Sequence, residues 1–253
     1  MPLFQQPFMS GGFPSMNRAV AATEFNSMYE SFNALTTVNK QHFVEWFSGS
    51  GVTSGDDITP DSIWTFDDVA GVNTGEMFDG VDEGYRITTD TNTNDRGSIT
   101  FYDGTNNHRQ YEPTGYEVIG VMKREDHIDA ITISGLCETS DYATGTAHSV
   151  ECEMREVLNN FVAIASSNGS ITRTASDIAL DGNWVGYKLT GSSTNNKLTV
   201  NGVLKVTKTT NRPTNKCHPI FEVQTGSARA SYGAIRYMAV SYTHLTLPTK
   251  RIV

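Results

Sequence analysis

The chain has 253 residues, of which 38% are hydrophobic and 19% are charged, and its formal net charge is −9. This apolar content is enough for a packed core and excludes a chain that is disordered throughout. The acidic balance argues against nucleic-acid binding and against attachment to a membrane surface. No apolar run approaches the roughly 20 residues of a membrane span, and the first residues lack the basic start and apolar stretch of a signal peptide. The sequence therefore predicts a soluble acidic protein without a secretion signal or membrane insertion.

Residues 1–40 are predicted to form an arm followed by one amphipathic helix. Phe4, Phe8 and Phe13 stand among glycines and prolines, and apolar residues from 16 to 35 recur with a period close to 3.6. Aromatic side chains in a segment with so little local structure need a surface to pack against. Two interpretations stay open: the helix docks on its own domain, or the arm mediates attachment or oligomerisation.

From residue 41 onward the sequence is typical of short β-strands separated by turns. The candidate strands are 42–47, 63–67, 85–88, 98–102, 116–123, 128–136, 150–154, 161–166, 171–174, 184–189, 197–200, 203–207, 219–224 and 230–238. Many short strands with turn signals between them predict an all-β sandwich or barrel. Asn201 and Gly202 are the clearest turn, because this pair favours the positive φ angles of a type I′ hairpin. Residues 116–122 are apolar on both faces, which predicts a central strand.

The candidates for a metal or cofactor site are few. The three cysteines are Cys137, Cys152 and Cys217. Their spacing fits neither a disulfide framework nor a zinc site, so they are predicted to be reduced thiols in the core. Asp79, Asp82 and Glu83 form the densest acidic segment and are candidate calcium ligands, although the EF-hand loop pattern is missing. No other cofactor is predicted.

The order of elements in the second half resembles the concanavalin A-like lectin/glucanase jelly roll, in the laminin-G-like versions found in tailed-phage virion and tail proteins. Trp184 stands at the head of a strand that carries Tyr187, and the Asn201-Gly202 hairpin takes the place where these families often have an Asp-Gly pair. The other matching segments are 45–49, 84–89, 115–123, 130–136, 228–229 and 235–237. The resemblance covers roughly residues 43–239 and implies a sandwich of two antiparallel sheets. Trp184 is expected to lie buried between these sheets.

Members of this fold that cleave β-glucans carry carboxylates on one strand in the pattern E-x-D-x-E, and alternate positions aim the side chains into one cleft. In the candidate strand 150–154, Glu151 and Glu153 share a face, but Glu156 breaks the alternation and no Asp lies between them. This pattern favours an edge strand with a solvent-exposed acidic face. The sequence therefore predicts a protein that is not an enzyme and has no catalytic residues.

The resemblance implies a non-enzymatic structural protein of a phage virion, such as a tail, baseplate or head-decoration component. Such a protein is expected in the virion, assembled in the host cytoplasm, and in contact with other virion proteins or with itself through residues 1–40. The alternative is a carbohydrate-binding module that recognises glycans on the host surface. A glycoside hydrolase is a further alternative.

Residues 240–253 are predicted to be a non-native tail. The ten residues VSYTHLTLPT resemble a translated sequencing adapter, and KRIV would continue the read-through. This interpretation ends the domain, predicted as 41–239, at Ala239, and it implies a gene from a metagenomic assembly. The alternative is an ordinary terminal strand, because Val, Tyr, Thr and Leu suit strands.

Overall fold

The computed structural model describes residues 40–47, 64–78, 84–100, 110–124, 130–139, 147–155, 161–226 and 229–243. Within these ranges the regular structure is entirely β, and every strand pairing is antiparallel. These ranges contain no helix that is long and apolar enough to span a bilayer. The predicted helix, most of the arm, and the candidate calcium ligands Asp79, Asp82 and Glu83 lie outside the described residues.

Fifteen strands in the described ranges form two sheets. They are β1 Lys40–Trp46, β2 Thr65–Ala70, β3 Thr74–Phe78, β4 Gly84–Thr88, β5 Arg96–Thr100, β6 Tyr116–Arg124, β7 Ala130–Cys137, β8 His148–Arg155, β9 Phe161–Asn168, β10 Ile171–Ala179, β11 Val185–Gly191, β12 Asn196–Val200, β13 Val203–Lys208, β14 His218–Thr225 and β15 Tyr232–Thr243. Sheet A has the order β13-β12-β11-β6-β15-β4-β3, and β1 also pairs with β15. Sheet B has the order β10-β9-β8-β7-β14-β5-β2. The predicted sandwich of two antiparallel sheets is confirmed.

The core fills the space between the inner faces of the two sheets. Its largest fully buried side chains include Trp64, Tyr85, Tyr187 and Phe221. Tyr187 of sheet A shares a hydrogen bond with the Ser134 hydroxyl of sheet B. Because a buried phenol needs a hydrogen-bond partner, this contact fixes how the sheets face each other.

Strand β6 lies between β11 and β15 in sheet A, which confirms the prediction that 116–122 form a central strand. Its Val118 and Met122 point into the core, while Ile119 packs with Tyr237 and Ala239 in a smaller cluster on the outer face. Apolar residues on both faces of one strand are expected where both faces are covered.

The hairpin between β12 and β13 turns at Asn201 and Gly202. Their φ angles are 48° and 77°, the conformation that the Asn-Gly pair predicts. The Asn201 side-chain oxygen also accepts a hydrogen bond of 3.1 Å from the backbone N–H of Gly186 on β11. The turn is therefore tied to the neighbouring strand as well as to its own hairpin.

Strand β15 continues past Ala239 to Thr243. Val240 is fully buried and pairs with Val118 of β6 on one side and Phe43 of β1 on the other. Ser241 and Tyr242 extend the same ladder. The domain boundary predicted at 239 therefore falls inside a strand, because residues 240–243 have the β-propensity and alternation that continue the sheet.

Candidate functional site

Strand β8 carries the polar residues at the centre of the candidate site. It lies between β7 and β9 and is the third strand from one edge of sheet B. The prediction that it is an edge strand is therefore wrong. Val150, Cys152 and Met154 belong to the core between the sheets. The alternating positions, Glu151 and Glu153, therefore project from the outer face of sheet B. Both side chains are fully buried, which also corrects the predicted solvent-exposed acidic face.

Glu153 lies beside two arginines: Arg173 donates a hydrogen bond to it, whereas Arg155 is within ion-pair distance without hydrogen-bond geometry. Arg155 Nε lies 2.9 Å from Glu153 Oε1, and Arg173 Nε lies 2.7 Å from Glu153 Oε2. Arg173 comes from β10, so its side chain crosses β9 to reach β8. Two small residues of β9, Ala163 and Ala165, make this crossing possible, since they pair with Glu153 and Arg173 respectively. The two arginine side chains retain 18% and 23% of their surface, whereas Glu153 has none.

The surroundings of Glu151 differ from those of Glu153. Neither of its carboxyl oxygens has a hydrogen-bond partner within the described part of the chain. Burial raises the pKa of Glu151 well above its usual range, and the Glu153 and Glu222 carboxylates raise it further. The nearby Ser149 hydroxyl, which lowers this pKa, does not reach hydrogen-bond geometry. Burial therefore favours the neutral form of Glu151, which lies on the same strand as the ion-paired Glu153.

Gly135 of β7 makes room for Glu151. The two residues are directly paired, and a Cβ atom at Gly135 would lie 3.2 Å from Glu151 Cγ and closer still to the backbone of β8. A larger residue would therefore displace the glutamate side chain or separate the two strands. The glycine lets a buried carboxyl group lie flat on the sheet.

A row of mostly polar residues runs from Glu153 across sheet B. Glu153 pairs with Ile133, Ile133 with Glu222 on β14, and Glu222 with Ser98 on β5. Glu222 and Ser98 are also fully buried. At about 4.8 Å per strand, the row from Glu153 to Ser98 spans about 14 Å. Three of the four residues in this row on the outer face of sheet B are therefore polar, and the fourth is an isoleucine.

The alternate positions on β8 correspond in spacing to the E-x-D-x-E pattern of the β-glucan-cleaving members of this fold. The chain has Glu151 and Glu153 at the first two positions and Arg155 at the third. The sequence shows this alternation, but it does not show that β8 is a central strand. The buried position of the pattern, and the arginine from β10, could be seen only in the folded sheet.

Trp184 does not lie between the sheets. It is half-buried on the outer face of sheet A, and the Arg236 guanidinium lies 3.9 Å from the centre of its ring. The prediction that Trp184 is buried between the sheets was wrong. Val185 and Tyr187 point inward, so Trp184, one residue before Val185, points outward. Trp64 is fully buried in the core.

The described residues contain no group of three or more His, Cys, Asp or Glu side chains that could hold a metal ion. The three cysteines are free thiols and are buried, as expected of core residues. Burial raises the pKa of each thiol well above its usual range, which keeps them protonated and poor ligands.

No protein-family model matches this chain, and no curated protein resembles it in sequence. Many solved structures resemble its fold. A glycoside hydrolase family 16 endo-glucanase from Bacteroides ovatus aligns over 78% of this chain and 99% of its own, with 11% identity and a TM-score of 0.53. The Bacillus licheniformis β-glucanase aligns over the same two fractions with 14% identity and a TM-score of 0.50. The metal-free Emp46p carbohydrate recognition domain aligns over 78% of this chain and 97% of its own, with 10% identity and a TM-score of 0.48.

The prediction that the chain is not an enzyme is contradicted. The two similar structures with TM-scores of 0.53 and 0.50 are an endo-glucanase and a β-glucanase. Strand β8 is also central rather than an exposed edge strand, and Glu151 and Glu153 are buried. At 11–14% identity the likeness establishes the fold and leaves the reaction open. The chain has the concanavalin A-like jelly-roll fold of lectins and glucanases.

Proposed function

We propose that this protein is carbohydrate-active and that it binds a polysaccharide on the outer face of sheet B. The observation that carries this proposal is the Arg155–Glu153–Arg173 group at the centre of that face. The glutamate is fully buried, whereas the side chains of Arg155 and Arg173 beside it keep 18% and 23% of their surface exposed. Glu151, Glu153 and Arg155 also occupy alternate positions of β8, the spacing of the E-x-D-x-E pattern in β-glucan-cleaving members of the fold.

Arginine pairs suit sugar hydroxyl groups for a chemical reason. Each guanidinium carries five N–H donors in a rigid plane, and every sugar hydroxyl offers acceptor lone pairs. Because Glu153 already holds both arginines in place, a ligand has less side-chain entropy to remove on binding.

Burial raises the pKa of Glu151, and glycoside hydrolysis uses a carboxyl group with a raised pKa as its proton donor. We therefore include cleavage, as well as binding, in the test below.

We expect Arg155→Gln and Arg173→Gln to weaken polysaccharide binding by about tenfold each, because each variant removes one charge-assisted hydrogen bond to the ligand. The full chain and both variants are screened on immobilised polysaccharides, and dissociation constants are measured for those that bind. Each variant leaves Glu153 with one arginine partner. Thermal melting shows whether each variant is folded. Release of reducing ends, and its loss in Glu153→Gln, distinguishes cleavage from binding alone.

The matched control is Lys216→Gln, which removes an exposed cation paired with Glu112 at 3.1 Å. This variant should bind as the unmodified chain does. If both arginine variants are folded and bind as tightly as the control, the outer face of sheet B is not the glycan site.

The biological setting that we propose is a phage virion, in which a tail, baseplate or head-decoration protein presents this site to host glycans. The support is the resemblance of the second half of the chain to jelly-roll domains of tailed-phage proteins. Antibodies against the chain should label virus particles purified by density gradient from the source community. Label found only in the cell fraction would contradict this setting.

We also propose that residues 1–40 mediate assembly, on the basis of Phe4, Phe8 and Phe13 and the helical periodicity that follows them. Light scattering should give a multiple of the 27.7 kDa chain mass for the full chain. A version that begins at Lys40, the first residue of β1, should be monomeric. Equal monomer masses for both proteins would exclude the proposal.

A further inference from the structure

Two hairpin turns of the protein carry the same pair of residues. The chain has two Asn-Gly pairs, Asn168-Gly169 and Asn201-Gly202. The first pair lies where β9 leads into β10, and the second lies between β12 and β13. In both pairs the asparagine and the glycine are exposed. The two turns therefore present the same chemical groups to water, and a difference in their reactivity has to come from the fold. The proposed function involves neither turn.

An asparagine followed by a glycine can react within its own backbone. Hydroxide removes the proton of the glycine N–H, and this nitrogen attacks the side-chain carbonyl carbon of the asparagine, Cγ. A bond forms between the nitrogen and Cγ, the bond from Cγ to Nδ2 breaks, and ammonia leaves with a proton from water. Water then opens the succinimide ring at either carbonyl carbon, which gives aspartate or isoaspartate. Because glycine has no Cβ atom, it allows the nitrogen to approach closely, and the two groups are already neighbours.

The side chain of Asn201 is held in place by a neighbouring strand. Its Oδ1 accepts a 3.1 Å hydrogen bond from the backbone N–H of Gly186, and its own backbone N–H donates a 2.9 Å hydrogen bond to the Gly186 carbonyl oxygen. The hairpin also closes directly on the turn, because Val200 pairs with Val203. Attack on Cγ of Asn201 therefore requires the side chain to give up a hydrogen bond and the turn to open.

The side chain of Asn168 makes no hydrogen bond with the described part of the chain. The pair that closes this hairpin is Ser167 with Ile171, which leaves three residues in the loop instead of two. The Gly169 N–H donates a 3.2 Å hydrogen bond to the Ser167 hydroxyl, longer than the usual length of about 2.9 Å. The reacting groups at Asn168 are therefore less restrained than those at Asn201.

We propose that Asn168 is a deamidation site of the folded protein, and that the fold protects Asn201 from the same reaction. The reaction needs only water and hydroxide, so no enzyme or cofactor takes part. Its products add a negative charge at the end of β9. Where isoaspartate forms, the backbone of the loop also becomes longer by one CH2 group.

The longer loop is expected to destabilise the hairpin, because Asn211 binds it on both sides. The Ser166 hydroxyl donates a 2.6 Å hydrogen bond to the Asn211 carbonyl oxygen, and Asn211 Nδ2 donates a 2.9 Å hydrogen bond to the carbonyl oxygen of Ser170. An additional backbone atom between Ser166 and Ser170 disturbs this pair of contacts. The deamidated protein should therefore melt about 2–4 °C lower, the effect of losing about one hydrogen bond in a chain of this size.

The test stores the full chain under mildly alkaline conditions and follows both asparagines by peptide mapping with mass spectrometry. Arg173 and Lys197 place the two pairs in different tryptic peptides. We expect Asn168 to convert about tenfold faster than Asn201, the rate ratio that one broken hydrogen bond produces. In the chain unfolded by guanidinium chloride the two rates should be similar, since the reacting pair is the same. The rate at Asn168 should rise with pH, because the attacking nitrogen must lose its proton.

Asn168→Gln is the matched control variant. Glutamine keeps the amide but would have to close a larger ring, which forms far more slowly. Stored Asn168→Gln should therefore keep the melting temperature of its fresh sample, whereas the stored unmodified chain melts lower than its fresh sample. The proposal is overturned if Asn168 stays intact in the folded chain, if Asn201 converts there equally fast, or if stored Asn168→Gln loses as much stability as the unmodified chain.

Discussion

Glu151→Gln is expected to make the protein more stable at pH 8 and to change its stability much less at pH 5. The side chain is fully buried, and both of its oxygens lack hydrogen-bond partners within the described residues. The native state therefore keeps Glu151 protonated, with a pKa well above its usual range. Gln has nearly the same shape and remains neutral at every pH.

The sign of the effect follows from proton linkage. In the unfolded chain Glu151 titrates near its ordinary pKa of about 4.3, whereas in the native state it titrates at a higher pH. The stability contributed by the protonated group is complete below the unfolded pKa and is lost as pH rises through the folded pKa. Between the two, the unmodified chain loses up to about 1.4 kcal/mol per pH unit relative to the variant.

Thermal melting of both proteins from pH 5 to pH 8 measures this difference. For a chain of this size, each kcal/mol corresponds to a change in melting temperature of about 2–4 °C. The matched control is Glu112→Gln, which removes an exposed carboxylate and should give no pH-dependent gain. A loss of stability in Glu151→Gln of equal size at both pH values would show that Glu151 is ionised and paired in the native state.

Truncation after Ala239 is expected to lower the melting temperature by about 10 °C. It removes Val240, which is fully buried, and the last four residues of β15, which pair with β6 and β1. Burial of a valine side chain contributes about 2 kcal/mol, and the loss of two ladders exposes further core. A chain that ends at Thr243 keeps all of β15 and should melt well above the shorter one.

Val240→Ala and Val240→Asp distinguish core packing from chain length in this experiment. Alanine should cost about 2 kcal/mol through the cavity it leaves. Aspartate should cost more, because it places a charge among the buried residues of sheet A. Equal melting temperatures for the chains that end at 239 and 243 would mean that residues 240–243 contribute nothing to the sheet, as the interpretation of a non-native tail predicts.

Local signals in the sequence predicted most of the strands. Alternation and turn residues predicted fourteen strands, and the Asn201-Gly202 hairpin and the central position of 116–122 agree with the structure. Strand β3, Thr74–Phe78, was missed because it contains a glycine and a glutamate, which strands disfavour. The glycine is required by the fold: a Cβ atom at Gly75 would collide with the Tyr85 hydroxyl.

The candidate site depends on tertiary structure, because it is made of residues that are distant in sequence. Glu153 meets Arg173 only because β10 lies beyond β9 in sheet B. Which face a residue occupies also depends on where its strand is paired, and a shift of one residue reverses it, as Trp184 demonstrates. The sequence by itself determined that the chain forms an all-β sandwich and where most strands begin and end. Long-range pairing decided which strands are neighbours, and so it decided which glutamates are buried and which arginines hold them.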